Sequence, residues 1–239
     1  DLLNPKNLFC VGDPRQSIFG WRGSDIRNIL RFKSKYPGSE IIILATNYRS
    51  SEYIIKFMNI LVKDMALPDL RSSLIYEKNI KLIEFSSEER EYDFIIKKIL
   101  NSTIQREEIF VLSRTNRQLR EISNLMKQKN IPHILKTEEI NSELTAKKGE
   151  ITLATIHSIK GLEARTVFVV GCNESNFPCK TTDHPLVEMI KIEEYDKEEE
   201  EKRLLYVGIS RAKENLYLTY SGKKPTYFIT QKMLSIINS

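Results

Sequence analysis

Residues Val11 to Ser24 read VGDPRQSIFGWRGS. The apolar run Leu8-Phe9-Cys10-Val11 leads into them, and Gly12, Asp13 and Pro14 stop any continuing strand. An amide (Gln16), two aromatics (Phe19, Trp21) and two guanidinium groups (Arg15, Arg22) are thereby expected on a loop at the end of a buried strand. In open α/β sheets that is where ligands sit. Trp21 is the only tryptophan of the chain, and Arg22 and Gly23 beside it suit a base-stacking platform next to a phosphate. The plainer reading is a surface turn anchored by a tryptophan, since aromatics beside arginines are common on ordinary surfaces.

Working outward from this loop, strand and helix patterns alternate. Ser24 or Asp25 caps a helix predicted to run to about Tyr36, and Pro37-Gly38 ends it. Ile41 to Leu44 reads as a strand opening into Ala45-Thr46-Asn47-Tyr48-Arg49-Ser50. Ser50 or Ser51 then caps a helix with Ile54, Ile55, Met58, Leu61 and Val62 at helical spacing. Further strands are predicted at Lys81–Phe85, Ile109–Ser113, His133–Lys136, Ile151–Ala154, Thr166–Val170 and Leu216–Tyr220. Between them come a helix behind a Ser86/Glu89 capping box, one through Leu119, Ile122 and Met126, a little helix near Leu186 to Ile192, and one from Glu198 to Ala212. A last helix is predicted over residues 226 to 237. Acids at the start of the Glu198 helix, with Arg211 and Lys213 at its end, suit the helix dipole. Glu198 to Glu201 read as a solvated helix start, and Arg203 as a partner for Glu199 or Glu200 on its own helix.

This alternation predicts an α/β fold, a parallel sheet with helices on both faces. Polar loops follow the strands at Tyr48-Arg49, Arg114-Thr115, Thr155-Ile156-His157 and Gly171, which places several ligand-facing loops on one edge.

Composition sets the bounds. The 239 residues are 41% hydrophobic and 29% charged, as in a soluble globular protein. A net charge of +5 allows a polyanionic partner without requiring one. Three cysteines (Cys10, Cys172, Cys179) lack zinc-site spacing, and three histidines (His133, His157, His184) are too scattered to argue for a metal. Free thiols fit a reducing, cytoplasmic setting. No apolar run reaches the length of a membrane span. The chain begins Asp1-Leu2-Leu3 without methionine, which reads like the interior of a larger protein.

Four segments, in order, resemble the later motifs of superfamily 1 DNA helicases of the UvrD/Rep type. VGDPRQSIFGWRGS is similar to motif III, LATNYRSSEYI to motif IV, ITLATIHSIKGLEARTVFVVG to motif V, and EEEKRLLYVGISRAKENLYLT to motif VI. VLSRTNRQLR resembles a segment between motifs IV and V. The resemblance implies a RecA-like, P-loop NTPase-like second motor domain, and it implies roles residue by residue. Gln16 would sense the nucleotide γ-phosphate. Phe19, Trp21 and Arg22 would touch single-stranded DNA, with Thr155, His157 and Lys160 on its backbone. Tyr48 would stack on adenine and Glu163 would hold the ribose. Arg49 and Arg211 would reach the γ-phosphate across a domain cleft, where a guanidinium stabilises transition-state charge.

Departures from the family pattern matter equally. No G-x-x-x-x-G-K-[ST] phosphate loop and no Asp-Glu pair for Mg²⁺ stands ahead of motif III. The expectation is that ATP with Mg²⁺ serves the intact enzyme and that neither binds tightly to this chain alone. Some 30 residues between Arg120 and Ile151 replace the accessory helical insertion of larger relatives. Residues 1–37 would then be the tail of a first RecA-like domain and 38–239 the second. The expected partners are single-stranded DNA and the missing first RecA-like domain, with no membrane. DNA repair is the process such a helicase suggests, and the implied direction is 3′ to 5′. A catalytically inactive half-helicase that binds nucleic acid or a protein partner is the alternative.

Overall fold

The structure is a computed structural model that describes residues 7–138, 145–179, 196–222 and 224–238. Its centre is a sheet of six parallel strands in the order β3-β8-β7-β4-β6-β5. These are β3 (Ile80–Phe85), β4 (Ile109–Ser113), β5 (His133–Lys136), β6 (Ile151–Thr155), β7 (Ala164–Val170) and β8 (Ala212–Ser221). A separate pair, β1 (Thr46–Asn47) and β2 (Arg71–Ser72), is also parallel. The helices are α1 (Arg27–Leu30), α2 (Phe32–Lys35), α3 (Glu52–Leu61), α4 (Glu88–Leu100), α5 (Asn116–Gln128), α6 (Lys197–Ile209) and α7 (Gln231–Asn238).

Strand periodicity of two explains the layering. Phe110, Leu112, Ala154, Val167, Val169 and Leu216 face one side, against α3, α6 and α7. Ile109, Val111, Ile151, Leu153, Phe168 and Val170 face the other, against α4 and α5. Every residue of β4 and β6 is buried, which is why these strands read as unbroken apolar runs. The predicted α/β class and two-sided sheet are therefore borne out.

Several boundaries move. Ile41–Leu44 does not form the predicted strand: the four side chains are 55–81% exposed, and ladder pairing starts only at Thr46. Leu8–Val11 is likewise not a strand, with Phe9 88% and Val11 80% exposed. Both have strand-forming composition but no neighbouring strand among the described residues. A β-ladder needs a partner, so propensity alone does not make one. The single helix predicted to Tyr36 is instead α1 and α2, broken at Arg31 (φ −99°, ψ 13°). Ser87 rather than Ser86 caps α4, its Oγ accepting from Arg90 N. The predicted helix to Ala212 stops at Ile209, and β8 starts at Ala212, so Arg211 lies in a tight turn and not on a helix. The closing helix begins at Gln231 rather than residue 226. The predicted helix near 186–192 lies outside the described residues.

Candidate nucleotide and nucleic-acid site

Because the strands are parallel, the sheet has one carboxyl edge and one amino edge, and the predicted site residues divide between them. Arg114 and His157 follow β4 and β6 at the carboxyl edge, and Thr155 is the last residue of β6. Glu163 and Arg211 precede the starts of β7 and β8 at the amino edge. The expectation of several ligand-facing loops on one edge fits Arg114-Thr115, Thr155-Ile156-His157 and Gly171, whereas Tyr48-Arg49 docks at the amino edge beside the start of β8. Glu163 and Arg211 lie there too, because they close crossovers that return the chain to the starts of strands.

At the amino edge the chain builds a cluster of cations. Asn47 Oδ1 accepts from the amides of Arg49 and Ser50 (2.9 Å each), an Asx turn that sets Arg49. Ser50 Oγ donates to Ala212 O (2.6 Å) and Ser51 N to Lys213 O (2.9 Å), which docks this turn beside Arg211. The Arg49 guanidinium donates to Glu163, and its Nη1 approaches Ser210 O (3.4 Å). Lys213 Nζ holds the other Glu163 oxygen at 2.9 Å. With Lys213 first and Arg49 next, these cations pull the Glu163 carboxyl below its ordinary range. Tyr48 stands out from the same turn, 76% exposed.

Arg211 is different. It is 1% exposed and donates only to neutral oxygens: Val207 O (3.0 Å), Leu162 O (3.1 Å), Ser210 Oγ (2.7 Å) and, at 3.5 Å, Gln16 Oε1. Among the described residues no carboxylate lies within ion-pair distance of it. Burial, reinforced by the Arg49 charge, lowers its pKa to about 10. A buried cation without a counter-ion is costly.

The loop from Asp13 to Arg22 bridges the two edges. Asp13 Oδ1 accepts from Arg15 N, and Asp13 Oδ2 from the Gln16 amide (2.9 Å). Lys160 Nζ donates to Gln16 O (2.9 Å), and Ile18 is fully buried in the core against which α3 and α6 pack. At the carboxyl edge, Phe19 and Trp21 close on His157, with centroids 5.8 and 6.4 Å away and the Trp21 ring edge-on. Arg22 lies over Trp21 (4.4 Å) and Lys160 over Phe19 (5.4 Å). The loop is thus packed against the core and α6. Burial, and after it the Arg114 and Arg22 charges, push the His157 pKa down to about 3. The neutral ring still reaches Glu138 Oε1 through Nδ1 at 3.3 Å. Thr155 is 2% exposed and its hydroxyl donates to Ser158 Oγ (2.9 Å), so it shapes the turn and presents no free hydroxyl at the surface.

Sequence reasoning missed the acids of α6. Glu200 and Glu201 are each 5% exposed, not a solvated helix start. Glu200 accepts from Gly20 N (2.7 Å), and Glu201 receives Arg114 bidentately (3.0 and 2.6 Å) and Cys179 N. Arg203 donates to Ser17 O at 2.8 Å, and its charge also acts on Glu199 of its own helix. The available signal was Leu204-Leu205-Tyr206-Val207: a helix apolar on consecutive positions is buried on more than one face. Positions four earlier, Glu200 and Glu201, share those faces.

A model of the UvrD-like helicase C-terminal domain matches residues 42–141 and 134–223. The chain belongs to that family. A model of the UvrD/REP helicase N-terminal domain matches residues 2–37 of this family member. The UvrD-type chain is 35% identical over 138 residues to the ATP-dependent DNA helicase PcrA of Staphylococcus epidermidis, covering 54% of this chain and 19% of that protein. It is 34% identical over 136 residues to the PcrA of Staphylococcus aureus strain COL, with the same coverage. It therefore spans about a fifth of the length of these relatives. A crystal structure of the C-terminal domain of a possible DNA helicase from Lactobacillus plantarum shares the fold. It has a TM-score of 0.56 at 16% identity, over 78% of this chain and 96% of that one. Among the described residues no helix is long and apolar enough to cross a membrane, and no group of three or more His, Cys, Asp or Glu side chains is placed to hold a metal.

Proposed function

We propose that this chain is the second motor portion of an ATP-dependent DNA helicase or translocase, working 3′ to 5′ on single-stranded DNA. The observation that carries the reading is Arg211: buried, fixed by four neutral oxygens, and without a carboxylate partner among the described residues. A phosphate supplies the missing anion, since guanidinium and phosphate match in charge and in donor geometry. The donor set therefore fits a nucleotide, with Arg211 and Arg49 on its phosphates, Gln16 beside Arg211, Tyr48 on the base and Glu163 on the ribose. When bound, ATP with Mg²⁺ supplies the phosphoryl group whose developing charge these cations stabilise.

The carboxyl-edge cluster provides the nucleic-acid side. Phe19 and Trp21 offer aromatic faces worth ~1–3 kcal/mol per stacked base without sequence readout. Arg22, Lys160 and the neutral His157 lie where the backbone of that strand passes, and Thr155 supports their turn. Residues 1–37 belong in this reading to a first RecA-like domain, and residues 38–239 to the second. The exposed strand-like runs Phe9–Val11 and Ile41–Leu44 support it, since they have the composition of sheet strands and lack a sheet.

The phosphate loop and the Mg²⁺-binding acids must then come from that first domain. The chain alone should show no magnesium-dependent ATP turnover. Joined to a first motor domain, it should hydrolyse ATP in a DNA-stimulated manner, and Arg211→Ala should cut turnover by roughly 10³ or more. Undiminished turnover at saturating ATP overturns the assignment. Oligonucleotide binding with no turnover in any such pairing favours the half-helicase reading instead.

A further inference from the structure

Helix α6 is the crossover from β7 to β8, so it starts at the carboxyl edge of the sheet and returns to the amino edge. Glu201 and Ile209, the last residue of α6, are separated by roughly 12 Å of axial rise, and Arg211 lies in the turn just beyond. At its carboxyl-edge end two adjacent carboxylates point to different loops. Glu200 Oε2 accepts from Gly20 N at 2.7 Å, between Phe19 and Trp21. Glu201 receives Nε and Nη2 of Arg114, and its Oε2 accepts from Cys179 N at 3.3 Å.

Arg114 in turn follows β4, the strand paired with β6, whose end carries the His157 turn. The Phe19–Trp21 turn, which packs on His157, and the Arg114 loop therefore hang from neighbouring residues of one rigid helix. Neither carboxylate is needed to make the helix. Their burial carries a desolvation cost, which the loop amide and the bidentate guanidinium offset only in this geometry.

We propose that Glu200 and Glu201 are positioning residues for the aromatic contact that Phe19 and Trp21 make with single-stranded DNA. Glu200 fixes the Phe19–Trp21 turn through the Gly20 amide, and Glu201 fixes the loop after β4 through Arg114. The proposal rests on the nucleic-acid reading of these aromatics. It adds that the same helix, which ends two residues before Arg211, links that contact to the nucleotide edge.

The test uses the 239-residue chain and a fluorescein-labelled oligo-dT read by anisotropy, with Trp21 emission as a second signal. Glu200→Leu and Glu201→Leu should each raise Kd by about tenfold, the loss of one well-aligned stacked base. Glu200→Leu should also shift Trp21 emission in the free chain. Glu200→Gln keeps an oxygen acceptor for Gly20 N and should bind as wild type. Should the leucine variants fail to fold, Glu201→Gln keeps an acceptor for the Cys179 amide, loses the charge on Arg114, and should still weaken binding. Wild-type Kd in Glu201→Gln, or in both folded leucine variants while Trp21→Ala binds weakly, overturns the proposal alone. Wild-type binding by Trp21→Ala instead removes the aromatic contact itself, and with it the nucleic-acid reading.

Discussion

Arg211 and Arg114 are both withdrawn from water, yet their surroundings assign them opposite contributions to stability. Arg114 is paired bidentately with Glu201, so Arg114→Met strands a carboxylate that is 5% exposed and should cost about 3 kcal/mol. Arg211 has only neutral acceptors, so Arg211→Met removes an uncompensated buried charge and should leave the isolated chain as stable or raise its Tm. Thermal unfolding of the two variants side by side checks this; equal destabilisation would show that Arg211 is compensated after all. His157 gives a pH test. Its folded pKa, near 3, lies below the ordinary value of 6.5. The unfolded chain therefore binds more protons across that window, and stability must fall as pH drops from about 6.5 toward 3, by at most ~1.4 kcal/mol per pH unit. His157→Gln should flatten that part of the profile, measured by urea unfolding at stepped pH. An unchanged slope would place its origin in the carboxylates, such as Glu163, whose lowered pKa contributes stability that starts to be lost as pH falls below its ordinary value of 4.5.

At the level of elements, the segments without a sheet behave differently from those within it. Ile41–Leu44 exposes four consecutive aliphatic side chains on an unpaired backbone, the usual substrate for edge-to-edge association. Ile42→Glu with Leu44→Glu should reduce concentration-dependent self-association, followed by sedimentation velocity, and leave Tm within about 1 °C, because neither side chain is buried. A matching fall in Tm would mean that these residues pack in solution. The same contrast explains what was legible beforehand. β4, β6 and β7 were read nearly residue for residue, since a strand buried on both faces is an apolar run whatever its neighbours. Ile41–Leu44 has the same composition, and only pairing, a non-local property, separates the two. The charged cluster at Arg49, Glu163 and Arg211 was visible through motif resemblance. The Glu200 and Glu201 contacts were not, because four acids at a helix start look solvated until the helix's second buried face is recognised. The division of the site between two sheet edges was hidden for a related reason: it depends on where each crossover ends, and α6 ends three residues earlier than its pattern suggests.

For the whole molecule the question is how far the first 44 residues belong to one folding unit with the rest. The family models divide the chain between residues 37 and 42, yet the structure ties the Asp13–Arg22 loop to α6 by Gly20 N and Ser17 O, to Arg211 by Gln16, and to the core by Ile18. Ile18 is 0% exposed, whereas Phe9, nine residues earlier and larger, is 88% exposed. If the loop folds with the sheet, Ile18→Ala leaves a cavity beneath α3 and α6 and costs about 3 kcal/mol. In a chain of this size that lowers Tm by roughly 6–12 °C. Phe9→Ala should leave Tm unchanged, since its ring is in water in both states. Unfolding followed by Trp21 fluorescence, which reports only the loop, and by far-UV circular dichroism, which reports the sheet and helices, should give coincident transitions in the wild type. An early Trp21 transition, or an Ile18→Ala variant with wild-type Tm, would show that the loop is held only once the rest of the motor is present. The docking of Gln16 against Arg211 would then belong to the assembled enzyme and not to this chain.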